Sequence, residues 1–181
     1  MKECFVIMQI GDPEMDMIWK EVFCTTITDA GFDPILISEK NDGTLLANQI
    51  HQYLKRSDLI VADLTNERPN CYFEVGYTMG LNRNDRLILC CREDHNPRIR
   101  VAKKYKTNKE IHFDLAGYGI ILWDPDNLPK FTDDLKKEIL RRTVNTITKT
   151  QQIPKSKTNE KTMKNWMQQE HKEALNLWKK K

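Results

Sequence analysis

The run Leu59-Ile60-Val61-Ala62, opened by Asp58 and closed by Asp63, leaves this chain fewer folds than any other stretch of it. Four consecutive apolar residues without polar alternation mark a strand covered on both faces, as in a parallel sheet with helices above and below. Asp63 then stands at the strand's carboxyl end, where open α/β sheets hold their ligands. Residues 64–69 are rich in turn formers, and Asn70 has the chemistry to cap a helix running to about Leu81. With that cap, Glu74 falls in the first helical turn or just past it. Asp63 and Glu74 are therefore expected to converge on one crevice from the two sides of a single loop.

A glutamate early in a helix is ordinarily a solvated residue favoured by the helix dipole. Here Tyr72, Phe73, Val75, Gly76, Tyr77 and Met79 surround Glu74, which predicts a helix buried on most sides. A carboxylate in such a setting loses hydration and needs a partner or a ligand; Arg83 and Arg86 are the candidate structural partners. Gly76 lowers helix propensity, which suggests that something approaches the helix closely there.

The rest of the chain alternates short apolar runs with amphipathic stretches. Strands are expected at 4–8, 34–37, 59–63, 86–91 and 119–123, and helices at 14–30, 44–56, 70–81 and 132–147. Gly31 is placed to stop the first helix in a left-handed conformation. Strands alternating with helices specify a doubly wound, five-stranded, mainly parallel α/β sheet of flavodoxin-like kind, with helices on both faces. The glycines spell neither GxGxxG nor a P-loop, which argues against the standard dinucleotide and triphosphate cradles. Residues 92–110 hold Arg92, Arg98, Arg100, Lys103, Lys104, Lys106 and Lys109 without periodicity, as in a long excursion or a functional lid able to attract phosphates.

The stretch ADLTNERPNCYFEVGYTMGL, together with CFVIM near the start and HFDLAGYGIILW later, resembles the nucleoside 2-deoxyribosyltransferase-like superfamily and its bacterial TIR-like relatives. The likeness spans roughly residues 3–123. It implies that Glu74 is the catalytic carboxylate acting at C1′ of a ribose or deoxyribose, and that Asp63 helps hold the sugar or base. Many relatives carry Pro-Phe after the first strand, where this chain has Gln9 and Ile10.

Residues 149–181 are compositionally separate from residues 1–148. They hold nine lysines against three glutamates, a net +6, which leaves −3 for the α/β domain and +3 for the whole chain. Within them, 153–156 reads as a linker and about 159–178 as an amphipathic C-terminal helix with Met163, Trp166, Met167, Ala174 and Trp178 near one face. Such a helix suits docking within the chain or within a homo-oligomer; nucleic acid is disfavoured by the modest total charge. No apolar run approaches membrane-spanning length, so no membrane partner and a cytoplasmic location are expected. The five cysteines form no CxxC pair and read as reduced thiols.

Two functions are compatible with these residues. The first is an N-glycosidase acting on a nucleoside, a nucleotide or NAD, by hydrolysis or base exchange. Glu74 would stabilise or attack the oxocarbenium-like centre at C1′, as the carboxylate of a retaining glycosidase does, and Asp63 would bond the sugar or base. Met8, Gln9 and Gly11, on the first strand's exit, would border the substrate, with Tyr72 and Tyr77 packing or orienting the site. This chemistry needs neither metal nor cofactor, and NAD would enter only as substrate. The second is a nucleotide-binding or TIR-like signalling or scaffold module that binds without turnover; the resemblance implies work in assemblies and signalling, antiviral defence among them.

Overall fold

The computed structural model describes residues 2–37, 46–95, 111, 114–115 and 117–152. Residues 1–144 form one compact unit and 145–181 a second, of which the backbone as far as Gln152 is described. The expected tail helix with Trp166 and Trp178 lies outside the described residues, as do the turn at 38–43, residues 44 and 45, and the basic residues from Arg98 to Lys109.

Five strands form one all-parallel sheet: β1 (Lys2–Ile7), β2 (Phe32–Ile35), β3 (Leu59–Asp63), β4 (Leu87–Arg92) and β5 (Ile120–Trp123). Their order is β2-β1-β3-β4-β5. The doubly wound α/β architecture is the expected one, and its topological switch lies between β1 and β3, where the chain first steps outward to β2 and then returns across β1. β2 begins two residues earlier than its sequence suggests, directly after Gly31, whose φ of +86° turns the chain out of the preceding helix. Pro34 lies inside the strand, opposite Cys4. An edge strand tolerates this, since the missing N–H interrupts no pairing on the outer side.

Each face of the sheet carries its own core. On one, α1 (Pro13–Ile18), a π-helical turn (Trp19–Phe23) and α2 (Cys24–Asp29) bury Met15, Ile18, Val22, Phe23 and Ile27. The long helix α5 (Leu128–Gln152) adds Phe131, Leu135 and Ile139 to the same core, against Val61, Ile88 and Trp123. On the other, α3 (Leu46–Arg56) and α4 (Pro69–Gly80) cover Phe5, Ile7, Ile60, Ala62 and Leu89 with Leu54, Cys71 and Val75. Residues 14–30 read as one helix; the π turn divides it and lets both halves keep their apolar sides inward. Asp12 caps this helical run, its Oδ1 accepting from the amides of Glu14 and Met15 at 3.1 and 3.2 Å. All five cysteines are free thiols. Among the described residues, no helix is long and apolar enough to cross a membrane.

Arg83 does not pair with Glu74. Its guanidinium donates to the carbonyl of Leu54 at 2.6 Å and to that of Ser57, satisfying orphan carbonyls at the carboxyl end of α3. Hydrogen bonds from a charged donor contribute about 1.5–3 kcal/mol. Arg83→Met should therefore lower the unfolding free energy by about 2 kcal/mol, seen in urea titration as an earlier midpoint with unchanged slope.

Candidate active site

Where β1 and β2 end and α3 and α4 begin, the chain encloses an open cleft of about 340 Å³. Met8, Gln9 and Gly11 line it from the β1 exit, Leu46 and Ile50 from α3, and Arg68, Asn70, Cys71 and Glu74 from the start of α4. Gly11 has φ +77°, a left-handed turn that a larger residue there would strain.

The segment from β3 to α4 is tightly wound. Asn66 and Glu67 both have positive φ, 68° and 50°, within a 3-10 turn spanning Thr65–Glu67. α4 then starts at Pro69, not after Asn70 as the sequence suggested, and Arg68 is its extended N-cap with no side-chain cap bond. Proline is suited to the first helical position because its absent N–H would have had no partner there. The earlier start moves Glu74 into the second turn.

Glu74 projects into the cleft half-buried, and among the described residues its carboxylate has no hydrogen-bond or ion-pair partner. Burial alone pushes its pKa up to about 7. Near neutral pH it is thus a basic carboxylate that a cationic or electron-poor centre would stabilise. Cys71 beside it is buried, and its thiol is pushed up to about 12, chiefly by burial, so it lines the cleft as a neutral group.

Asp63 does not share this cleft. It is fully buried and lies with Leu59 and Val61 on the α1/α5 face, whereas Glu74 stands on the α3/α4 side. One carboxylate oxygen accepts from the amide of Thr65 at 2.8 Å, the other from Trp123 Nε1 at 2.7 Å. Burial raises its pKa, opposed by the bonds from Thr65 and Trp123. The expected convergence of the two carboxylates fails because a strand's side chains alternate between faces, and α4 crosses on the face away from Asp63.

Nor do the tyrosines border the cleft. Tyr77 stacks on His51, ring centroids 4.6 Å apart, and Tyr72 packs partly buried against the second core. α4 is not buried on most sides: Phe73 is 63% exposed, and a Cβ on Gly76 would meet nothing within 4 Å, so no close approach explains that glycine. Arg92, expected at the head of the basic excursion, closes β4 and is compensated by Asp94 at 2.9 Å and by Glu14.

Sequence reasoning missed Arg68, Cys71 and the wall formed by Leu46 and Ile50. Arg68 had a readable signal, its place immediately before a helix-starting proline. Leu46 and Ile50 had none, since their place at the cleft depends on how α3 packs beside α4. No protein-family model matches the chain, and no curated protein matches it significantly.

Proposed function

We propose that this protein is an N-glycosidase that cleaves the bond between C1′ of a ribose or deoxyribose and its base, in a nucleoside, a nucleotide or NAD, with Glu74 acting at C1′. The observation that carries this reading is the half-buried carboxylate of Glu74, unpaired among the described residues, in a cleft at the sheet's switch point. As the C–N bond lengthens, positive charge develops at C1′ and the bonding electrons leave with the base. An ionised Glu74 stabilises that charge, or forms a glycosyl ester that water or a second base then resolves.

Asp63, withdrawn to the other face, holds the loop entering α4 and is not among the residues that line the cleft. Among the described residues that line the cleft, Glu74 is the sole carboxylate. The same observation favours the second reading, a nucleotide-binding or signalling module without turnover.

Incubation with NAD, nucleoside monophosphates and deoxynucleosides, with and without an acceptor base, followed by mass spectrometry, separates the two. Release of free base supports the glycosidase, and its appearance in a new nucleoside identifies a transferase. Saturable binding without release from any of these compounds would favour the module.

A further inference from the structure

Gln9 leaves β1 at its carboxyl end and lines the cleft that Glu74 lines. Its carboxamide oxygen is shielded from solvent and has no hydrogen-bond partner among the described residues. Folded proteins contain few such groups, because a buried acceptor that gives up water without replacement destabilises the fold. Three other described side-chain atoms share this condition, on Thr26, Ser57 and His95, and none of those residues lines the cleft. Packing gives no reason for the amide, since a methionine would occupy nearly the same volume without the unbonded oxygen. The terminal amide torsion of glutamine is broad, so a small rotation turns the group toward a bound ligand.

We infer that Gln9 is a specificity determinant whose carboxamide oxygen accepts a hydrogen bond from an N–H on the edge of the base being cleaved. The ligands are then bases with an amino or carboxamide group, which an amino-bearing nucleobase and nicotinamide both supply. This rests on the N-glycosidase reading and adds to it the class of base. A site built to accept an N–H discriminates against the analogue that lacks it, because its own polar group is left unpaired.

The test uses matched pairs: adenosine 5′-monophosphate against purine riboside 5′-monophosphate, cytidine 5′-monophosphate against its 2-pyrimidinone analogue, and NAD against nicotinic acid adenine dinucleotide. Base release gives kcat/KM for each. Titration calorimetry on Glu74→Gln reads the same preference as affinity with the chemistry switched off. The wild type is expected to favour the N–H-bearing member of at least one pair by tenfold or more, and the pair affected tells nucleobase from nicotinamide. In Gln9→Met the preference should fall to within threefold, through loss on the N–H-bearing member, while the melting temperature rises by about 2–4 °C as the unbonded acceptor disappears. Equal treatment of every pair by the wild type, retained preference in Gln9→Met, or a lowered melting temperature in that variant would each overturn the inference. Base released equally from both members leaves the glycosidase reading standing. Neither release nor binding with any pair removes both.

Discussion

Glu74→Gln is expected to lose base release by roughly a thousandfold while leaving the folded protein more stable above pH 7. The substitution keeps size and shape and removes the negative charge that the transition state requires; one catalytic group of this kind is worth several kcal/mol of barrier. Affinity for a nucleoside or nucleotide with a neutral base should survive, because its bound ground state carries little charge at C1′, whereas NAD, whose pyridinium is already cationic, should bind more weakly. The stability change has the opposite sign to that of an ordinary structural glutamate. Unfolded, Glu74 releases its proton near the usual 4.5; folded, it holds the proton until about 7. Between those values the native state binds more protons than the unfolded state, so stability declines as pH rises, and the decline is complete above about 7. Glutamine carries no charge to desolvate and escapes this cost, a gain on the order of 1–2 kcal/mol once solvent screening of a half-buried group is allowed for. Below about pH 4.5 the two proteins should melt together. The wild-type kcat/KM should rise with pH and level off above about 7, as the ionised form accumulates. A Gln variant that releases base at the wild-type rate would remove the catalytic assignment, and one that melts lower than wild type at pH 8 would make Glu74 structural.

The sheet was legible because its evidence is local. Residues 59–62 have no polar alternation, and Leu87 to Cys91 repeats the pattern, so burial on both faces follows from composition within a few residues. Element ends were less legible where two signals compete. Asn70 and Pro69 both mark a helix start, and the proline prevails because its ring presets the first helical φ and lacks the N–H that would go unbonded. The candidate site was half readable. Glu74, Met8, Gln9 and Gly11 do meet in one cleft, since all follow from strand ends and the first turns of a helix. Asp63 was misplaced because its nearest neighbours in sequence say nothing of Trp123, which lies sixty positions away and donates a hydrogen bond to it. The exposure of Phe73 and the unbonded oxygen of Gln9 are likewise properties of packing between distant segments.

That distant bond makes Asp63→Ala the most damaging substitution expected for the fold. Trp123 Nε1 and the amide of Thr65 both donate to Asp63, and the hydroxyl oxygen of Thr65 accepts from the amide of Arg92 at 2.9 Å. The carboxylate thereby ties together the carboxyl ends of β3, β4 and β5 at a point that excludes water. Alanine leaves two buried donors without an acceptor, at about 1–3 kcal/mol each, so a total loss of about 3–5 kcal/mol is expected. Against an unfolding free energy of about 5–15 kcal/mol this is a large fraction. Asp63→Asn, whose amide retains one acceptor oxygen, should lose about half as much. Trp123→Phe should cost clearly less in the Asp63→Ala background than in wild type, because the bond it breaks is already gone. Urea unfolding of the four proteins measures that coupling. Base release per folded molecule should stay within about tenfold of wild type in Asp63→Asn, since its side chain does not reach the cleft. If Asp63→Asn instead melts like wild type and slows base release by a thousandfold, Asp63 acts on the substrate and its assignment to the loop is wrong.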